Sequence, residues 1–153
     1  MSLVLDVTEL FDEVDAPPPS LRVPFEPSFK PTVLVATHSR SIRNAISVTL
    51  QSVGYRILTA GDAYDTAEHL QRSPEVGLVL LDQRLPGFDG FQLCKTIRQS
   101  DRFAPPVVLI AKRSGLWTRL KAKAAGAVAL LKKPIRPDDL LTLVEEQLPL
   151  ARS

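Results

Sequence analysis

Past residue 31 the chain alternates two patterns of apolar positions. One is a short unbroken apolar run, and the other is an apolar residue every three or four positions. Thr32-Val33-Leu34-Val35-Ala36 is of the first kind, and a run this uniform predicts a strand covered on both faces. Ile42, Ala45, Ile46, Thr49, Leu50 and Val53 then fall on one helical face, closed by Gly54. Tyr55–Ala60 predicts a second strand. Asp62 is placed to cap a helix carrying Ala63, Ala67 and Leu70, which Ser73-Pro74 ends. Val76–Asp82 is the third strand, and Phe91, Leu93, Cys94 and Ile97 mark the helix after it. Pro106–Ala111 is the fourth strand, Leu116–Ala125 a helix stopped by Gly126, and Ala127–Leu131 the fifth strand. Pro137 suits the first turn of a last helix running to about Leu148, with Asp138 and Asp139 at the positive end of its dipole. Five strand–helix units in succession call for right-handed crossovers and a parallel sheet with helices on both faces, a three-layer α/β domain.

The third strand ends abruptly at a carboxylate, Asp82, and a Pro86-Gly87 turn follows. In open α/β sheets the carboxyl edge of the strands is where ligands and chemistry collect, so Asp82 is the leading site candidate. Its simpler role would be to cap the turn.

The first 31 residues read differently. Leu3, Val7, Leu10, Phe11 and Val14 fall at helical spacing among Asp6, Glu9, Asp12 and Glu13, so residues 1–15 are read as an acidic amphipathic docking segment. Leu3-Val4-Leu5 would equally serve as a strand. Residues 16–31 hold six of the 13 prolines and read as an extended linker, able to reach about 50 Å at ~3.1 Å per residue. Residues 32–149 form the folded domain. The net charge of +2 divides unevenly, −4 over residues 1–30 and +6 over the rest. No run is long and apolar enough for a membrane span. A single cysteine, Cys94, excludes an intrachain disulfide and a cysteine-based zinc site, and suits a reducing cytoplasm; its spacing makes it a buried hydrophobe.

The order of these elements, with Asp82 after the third strand and Lys133-Pro134 after the fifth, resembles the receiver domain of bacterial response regulators, the CheY-like family. The resemblance covers residues 32–149 and rests chiefly on Leu80-Leu81-Asp82-Gln83-Arg84-Leu85-Pro86-Gly87-Phe88-Asp89-Gly90 and Leu130-Leu131-Lys132-Lys133-Pro134-Ile135. It implies a flavodoxin-like (βα)5 sandwich around a five-stranded parallel sheet, and a non-enzymatic module of two-component phosphorelay signalling. It further implies a phosphoacceptor at Asp82, a phosphoryl contact from Lys133 and a cis peptide before Pro134. Residues 114–127 are similar to the unusually basic helix of receivers that serve twitching motility and phototaxis.

Three departures accompany the resemblance. The family places two acids after the first strand to hold magnesium, and those positions are Thr37 and His38. The hydroxyl residue at the end of the fourth strand is replaced by Ala111, and the aromatic switch of the fifth strand by Leu130. Magnesium relies on carboxylates, and Asp82 with Lys133 sums to zero charge, so no metal or other cofactor is expected. A lone His38 without a ligand set reads as a hydrogen-bonded loop residue, His69 sits on a polar helical face, and Asp89 reads as a helix cap. A flavin is not expected, because Thr37-His38-Ser39-Arg40 lacks a glycine-rich cradle.

The expected output is therefore a fixed binding surface. Residues 112–136 contain eight bases and no acid, and Arg113, Trp117, Arg119, Lys121 and Lys123 are its candidate contacts. A sensor kinase, a motility or phototaxis component, or a larger assembly would be the partner. Nucleic acid is not expected, since no helix-turn-helix or stacking platform accompanies the bases. Two alternatives stand beside this degenerate interaction module: a working Asp82 phosphoacceptor, and a constitutive linker or assembly subunit docking through residues 1–15.

Overall fold

The computed structural model describes residues 30–100 and 104–150. The docking segment read at 1–15 and the linker read at 16–31, apart from Lys30 and Pro31, lie outside the described residues. Pro31 itself is buried, and its carbonyl accepts from the Arg56 amide at 2.9 Å, which starts the first strand pairing.

Five strands form one parallel sheet: β1 (Thr32–Ala36), β2 (Arg56–Ala60), β3 (Val76–Asp82), β4 (Val107–Ala111) and β5 (Ala129–Lys132). Their order is β2-β1-β3-β4-β5, with β3 in the middle. Among the described residues four helices connect them, α1 (Arg40–Ser52), α2 (Ala63–Arg72), α3 (Gly90–Ser100) and α4 (Leu116–Ala124), and a fifth, α5 (Pro137–Gln147), follows β5. This is the flavodoxin-like three-layer sandwich.

The unbroken apolar runs have a direct explanation in the packing. Alternate side chains of a strand point to opposite faces. Val33, Val35, Leu78, Leu80, Val108 and Ile110 meet Ile46, Leu50, Leu140 and Val144 of α1 and α5 on one face. Leu34, Ala36, Val79, Leu81, Val107 and Leu109 meet α3 and α4 on the other, through Phe91, Leu93, Cys94, Ile97 and Ala122. Neither face is left to water, so neither set of positions is polar. The caps follow the sequence as well. Ser39 Oγ accepts from the Ile42 amide at 3.3 Å, Asp62 Oδ1 accepts from the Asp65 amide at 2.7 Å, and Pro137 opens α5.

Two details differ from the sequence reading. The inner face of α2 is Ala63, Thr66 and Leu70, while Ala67 is exposed. Thr66 can be fully buried because its hydroxyl donates to the Asp62 carbonyl at 2.7 Å, leaving its methyl free to pack. The fifth strand begins at Ala129 and not Ala127. The Ala127 amide still bonds the Ala122 carbonyl of α4, and only Val128 turns to the sheet, bonding Val107.

Between β3 and α3 the chain makes a two-residue antiparallel ribbon, Arg84–Leu85 against Phe88–Asp89. Its Pro86-Gly87 turn needs a positive φ at the glycine, which Gly87 supplies at +70°. Gly90 follows, with its amide on the Gln83 carbonyl at 2.8 Å. A Cβ there would collide with the Asp82 carbonyl oxygen and the Gln83 backbone. The loop that carries the site is thus folded tightly back on the end of β3.

Candidate functional site

The site forms at the carboxyl edge of the sheet, where β1 and β3 end as neighbours and β5 ends on the far side of β4. The register pairs Ala36 with Leu81, so Thr37, just past β1, and Asp82, the last residue of β3, stand side by side at the sheet edge. Lys133 follows the last residue of β5, and its amide is held by the Ala111 carbonyl of β4 at 2.9 Å. The Lys133–Pro134 peptide is cis.

Asp82 is 2% exposed. Its carboxylate takes contacts on both oxygens. Lys133 Nζ lies 3.0 Å from Oδ1 and 3.1 Å from Oδ2, so it straddles the group. Thr37 Oγ1 donates to Oδ2 at 2.7 Å, and the Arg84 amide donates to Oδ1 at 3.1 Å. The Thr37 hydroxyl oxygen accepts in turn from the Ser39 amide at 3.2 Å. A buried carboxylate is costly unless paired and hydrogen-bonded, and this one is both. Among the described residues Asp82–Lys133 is the one salt bridge.

The structure therefore brings both Thr37 and Lys133 onto the carboxylate of Asp82. His38, the neighbouring position, is exposed. Ala111 is fully buried and contributes only its carbonyl, to Lys133. Leu130 is half-buried and packs against the core on the α3 side. Among the described residues no three His, Cys, Asp or Glu side chains gather into a group able to hold a metal ion.

Two members of this constellation carry no signal in the sequence. One is the Arg84 backbone amide, which any residue would supply. The other is Arg43, whose Nη1 lies 3.5 Å from the Thr37 carbonyl and near Gly61, adding a cation beside the site. Its position one turn into α1 is the only hint, and that is shared with many solvent-facing arginines.

In the loop after β4 and along α4, Arg113, Arg119, Lys121 and Lys123 are exposed, and Trp117 is 78% exposed. Lys121 Nζ sits 4.8 Å from the centre of the Phe91 ring, a cation–π contact that ties α4 to α3. Asp89 caps α3, its Oδ1 accepting from the Phe91 amide at 2.9 Å. No helix among the described residues is long and apolar enough to cross a membrane.

Residues 33–145 match the family described as the response regulator receiver domain. The chain is 27% identical over 118 residues to Protein PilG of Pseudomonas aeruginosa, covering 76% of this chain and 87% of that one. It is 31% identical over 106 residues to the transcriptional regulatory protein AfsQ1 of Streptomyces coelicolor, covering 69% of this chain but only 46% of that longer protein. Among solved structures, the chemotaxis response regulator CheY4 of Vibrio cholerae superimposes with a TM-score of 0.72 at 30% identity. That match covers 78% of this chain and 99% of CheY4.

Proposed function

The chain belongs to the response regulator receiver domain family, and on that premise we propose that its acid pocket is degenerate and that it signals chiefly as a protein-binding module of a cytoplasmic two-component system. One observation carries the proposal: the carboxylate of Asp82 is already neutralised and saturated from within. Lys133 spans both oxygens, Thr37 donates to one and the Arg84 amide to the other.

Magnesium, which complete members hold between acids, does not fit this donor set. Asp82 is the sole carboxylate of the site, Thr37 and His38 stand where the acids would be, and the hydroxyl of Thr37 is spent on Asp82 itself. A divalent ion needs oxygen ligands that carry negative charge, whereas Asp82 and Lys133 together carry none and Arg43 adds a positive charge beside them. Phosphoryl transfer depends on positioning and charge neutralisation. A phosphoryl group approaching Asp82 would have to displace the Thr37 hydroxyl and share one lysine with the carboxylate.

The readout is weakened in the same way. Ala111 has no hydroxyl to draw a loop inward, and Leu130 has none to exchange between two environments. A two-state switch needs contacts that differ between its states. We therefore assign the output to the exposed basic face of α4, with Arg113, Trp117, Arg119, Lys121 and Lys123 as contacts for a kinase, a motility or phototaxis component, or a larger assembly. Trp and Arg commonly anchor such surfaces.

Incubation with a small-molecule phosphodonor and magnesium, followed by intact-mass measurement, tests the pocket. Phosphate gain at least about tenfold slower than in a receiver with a complete pocket is expected, since one lost stabilising contact of this kind costs ~2.7–4 kcal/mol. Rapid, magnesium-dependent gain of one phosphate would favour the second reading, a working phosphoacceptor, for which the retained Asp82–Lys133 contact speaks. Co-purification by the intact chain, compared with Trp117→Ala, tests the surface; capture that is indifferent to this change would remove α4 from the account.

A further inference from the structure

Two surfaces that the pocket chemistry leaves unused are complementary to each other. The first is convex. Leu116 and Leu120 stand one turn apart on α4 and form a ridge, with Trp117 beside it. Leu116 is 73% and Trp117 78% exposed, while the helix turns only Ala122 fully inward. Arg119 and Lys123, also one turn apart and exposed, flank the ridge, and residues 112–136 hold no acid.

The second surface is concave. An open apolar groove runs between the start of α2 and the ribbon after β3, walled by Ala67, Pro86 and Phe88, with Tyr64 at its mouth and Asp62 at one end. Tyr64 is 76% exposed. Asp62 is the acid of the lining itself, and Glu68, one turn from Tyr64 on α2, and Asp89, the residue after Phe88, are its acidic neighbours along the chain. Arg84, opposite Asp89 in the ribbon, is the base beside it. Among the described residues no cation lies within salt-bridge distance of Asp62, Glu68 or Asp89.

We propose that the α4 ridge of one copy docks into the α2 groove of a second copy, head to tail. This rests on reading α4 as a docking surface and gives that surface an occupant. The α4 ridge cannot reach the groove of its own copy. α2 and α4 share one layer of the sandwich with α3 between them, and they lie toward opposite edges of the sheet, over β2 and β5. Charge also selects the groove over a symmetric pairing of two α4 faces, which would bring two acid-free basic segments together at a cost. Matching the bases of α4 to the acidic rim removes that cost and buries the exposed indole against aromatic and proline surface. A head-to-tail contact leaves one ridge and one groove free on each pair, so association propagates beyond a dimer unless it closes into a ring.

Sedimentation of the intact chain over a concentration series tests this. The average mass of the wild type should rise with concentration and fall toward one chain as salt screens the rim charges. Trp117→Ala and Tyr64→Ala should each remain at the mass of one chain. Their equimolar mixture should reach two chains and stop, because the Tyr64→Ala copy keeps a good ridge and the Trp117→Ala copy a good groove. Both side chains are exposed, so circular dichroism of each variant should match the wild type. Three results overturn the proposal: a wild type that stays at one chain throughout, a Tyr64→Ala variant that associates like the wild type, or a mixture no heavier than its parts. Failure here is distinguishable from failure of the α4 reading, because Tyr64→Ala leaves co-purification through α4 unchanged and Trp117→Ala does not.

Discussion

The edge of the sheet at Asp82 and the outer face of α4 handle charge in opposite ways. At the sheet edge a buried carboxylate meets a lysine, a hydroxyl and an amide, and nothing is left over. On α4, bases and large apolar side chains stand in water with no acid in the segment. A compensated charge stabilises a fixed geometry but has little left to offer a ligand. Uncompensated charge next to exposed apolar surface costs the fold little and is available to a partner. On the reading proposed above, this contrast assigns function to α4 and a bracing role to Asp82, the reverse of the arrangement the family resemblance alone implies.

The sharpest way to break the contrast is to remove the compensation. Lys133→Met should cost about 3–5 kcal/mol in urea unfolding, because it strands the Asp82 carboxylate in the interior. Adding Asp82→Asn to it should recover much of that loss. A Lys133→Met variant as stable as the wild type would mean that the pair braces nothing.

High pH probes the same core from another side. Burial pushes the Cys94 thiol up from its ordinary 9.0 to about 11, against a smaller opposing pull from Arg98. The folded state therefore holds its proton where the unfolded state loses it. Stability from this group is fully present below pH 9 and declines between pH 9 and about 11, by about 2–3 kcal/mol at the upper end. Tyr55 is raised too, first by burial and then by the Glu145 charge, and its contribution declines in the same direction above pH 10. Cys94→Ala should flatten the alkaline part of the curve in a melting series.

On α4 the effect on the fold should be the smallest. Trp117→Ala should change stability by less than about 0.5 kcal/mol, since the ring is mostly in water. A larger loss would show that the indole supports the fold and would weaken its assignment to binding.

The centre of the sheet was legible in the sequence because β1, β3 and β4, covered on both faces, leave almost no polar position to mislead. Errors arose where a polar residue satisfied itself locally. Thr66 bonds its own helix and takes the inner position that Ala67 was expected to hold. Asp82 and Lys133 were legible through flanking motifs, but the bond from Thr37 was not. Thr37 could be read as a missing acid, whereas its donation to Asp82 depends on the register between β1 and β3. The Arg84 amide and the groove beside Tyr64 depend on the backbone path of the ribbon, which no side-chain pattern encodes.

The most direct test is the melting temperature of the intact chain in a chelator and in excess magnesium at neutral pH. A site that bound the ion would gain about 2.7 kcal/mol at a concentration 100 times its dissociation constant. Identical melting curves are expected for the wild type, because Asp82 is already balanced by Lys133. A clear, saturable rise with magnesium that Asp82→Asn abolishes would contradict this.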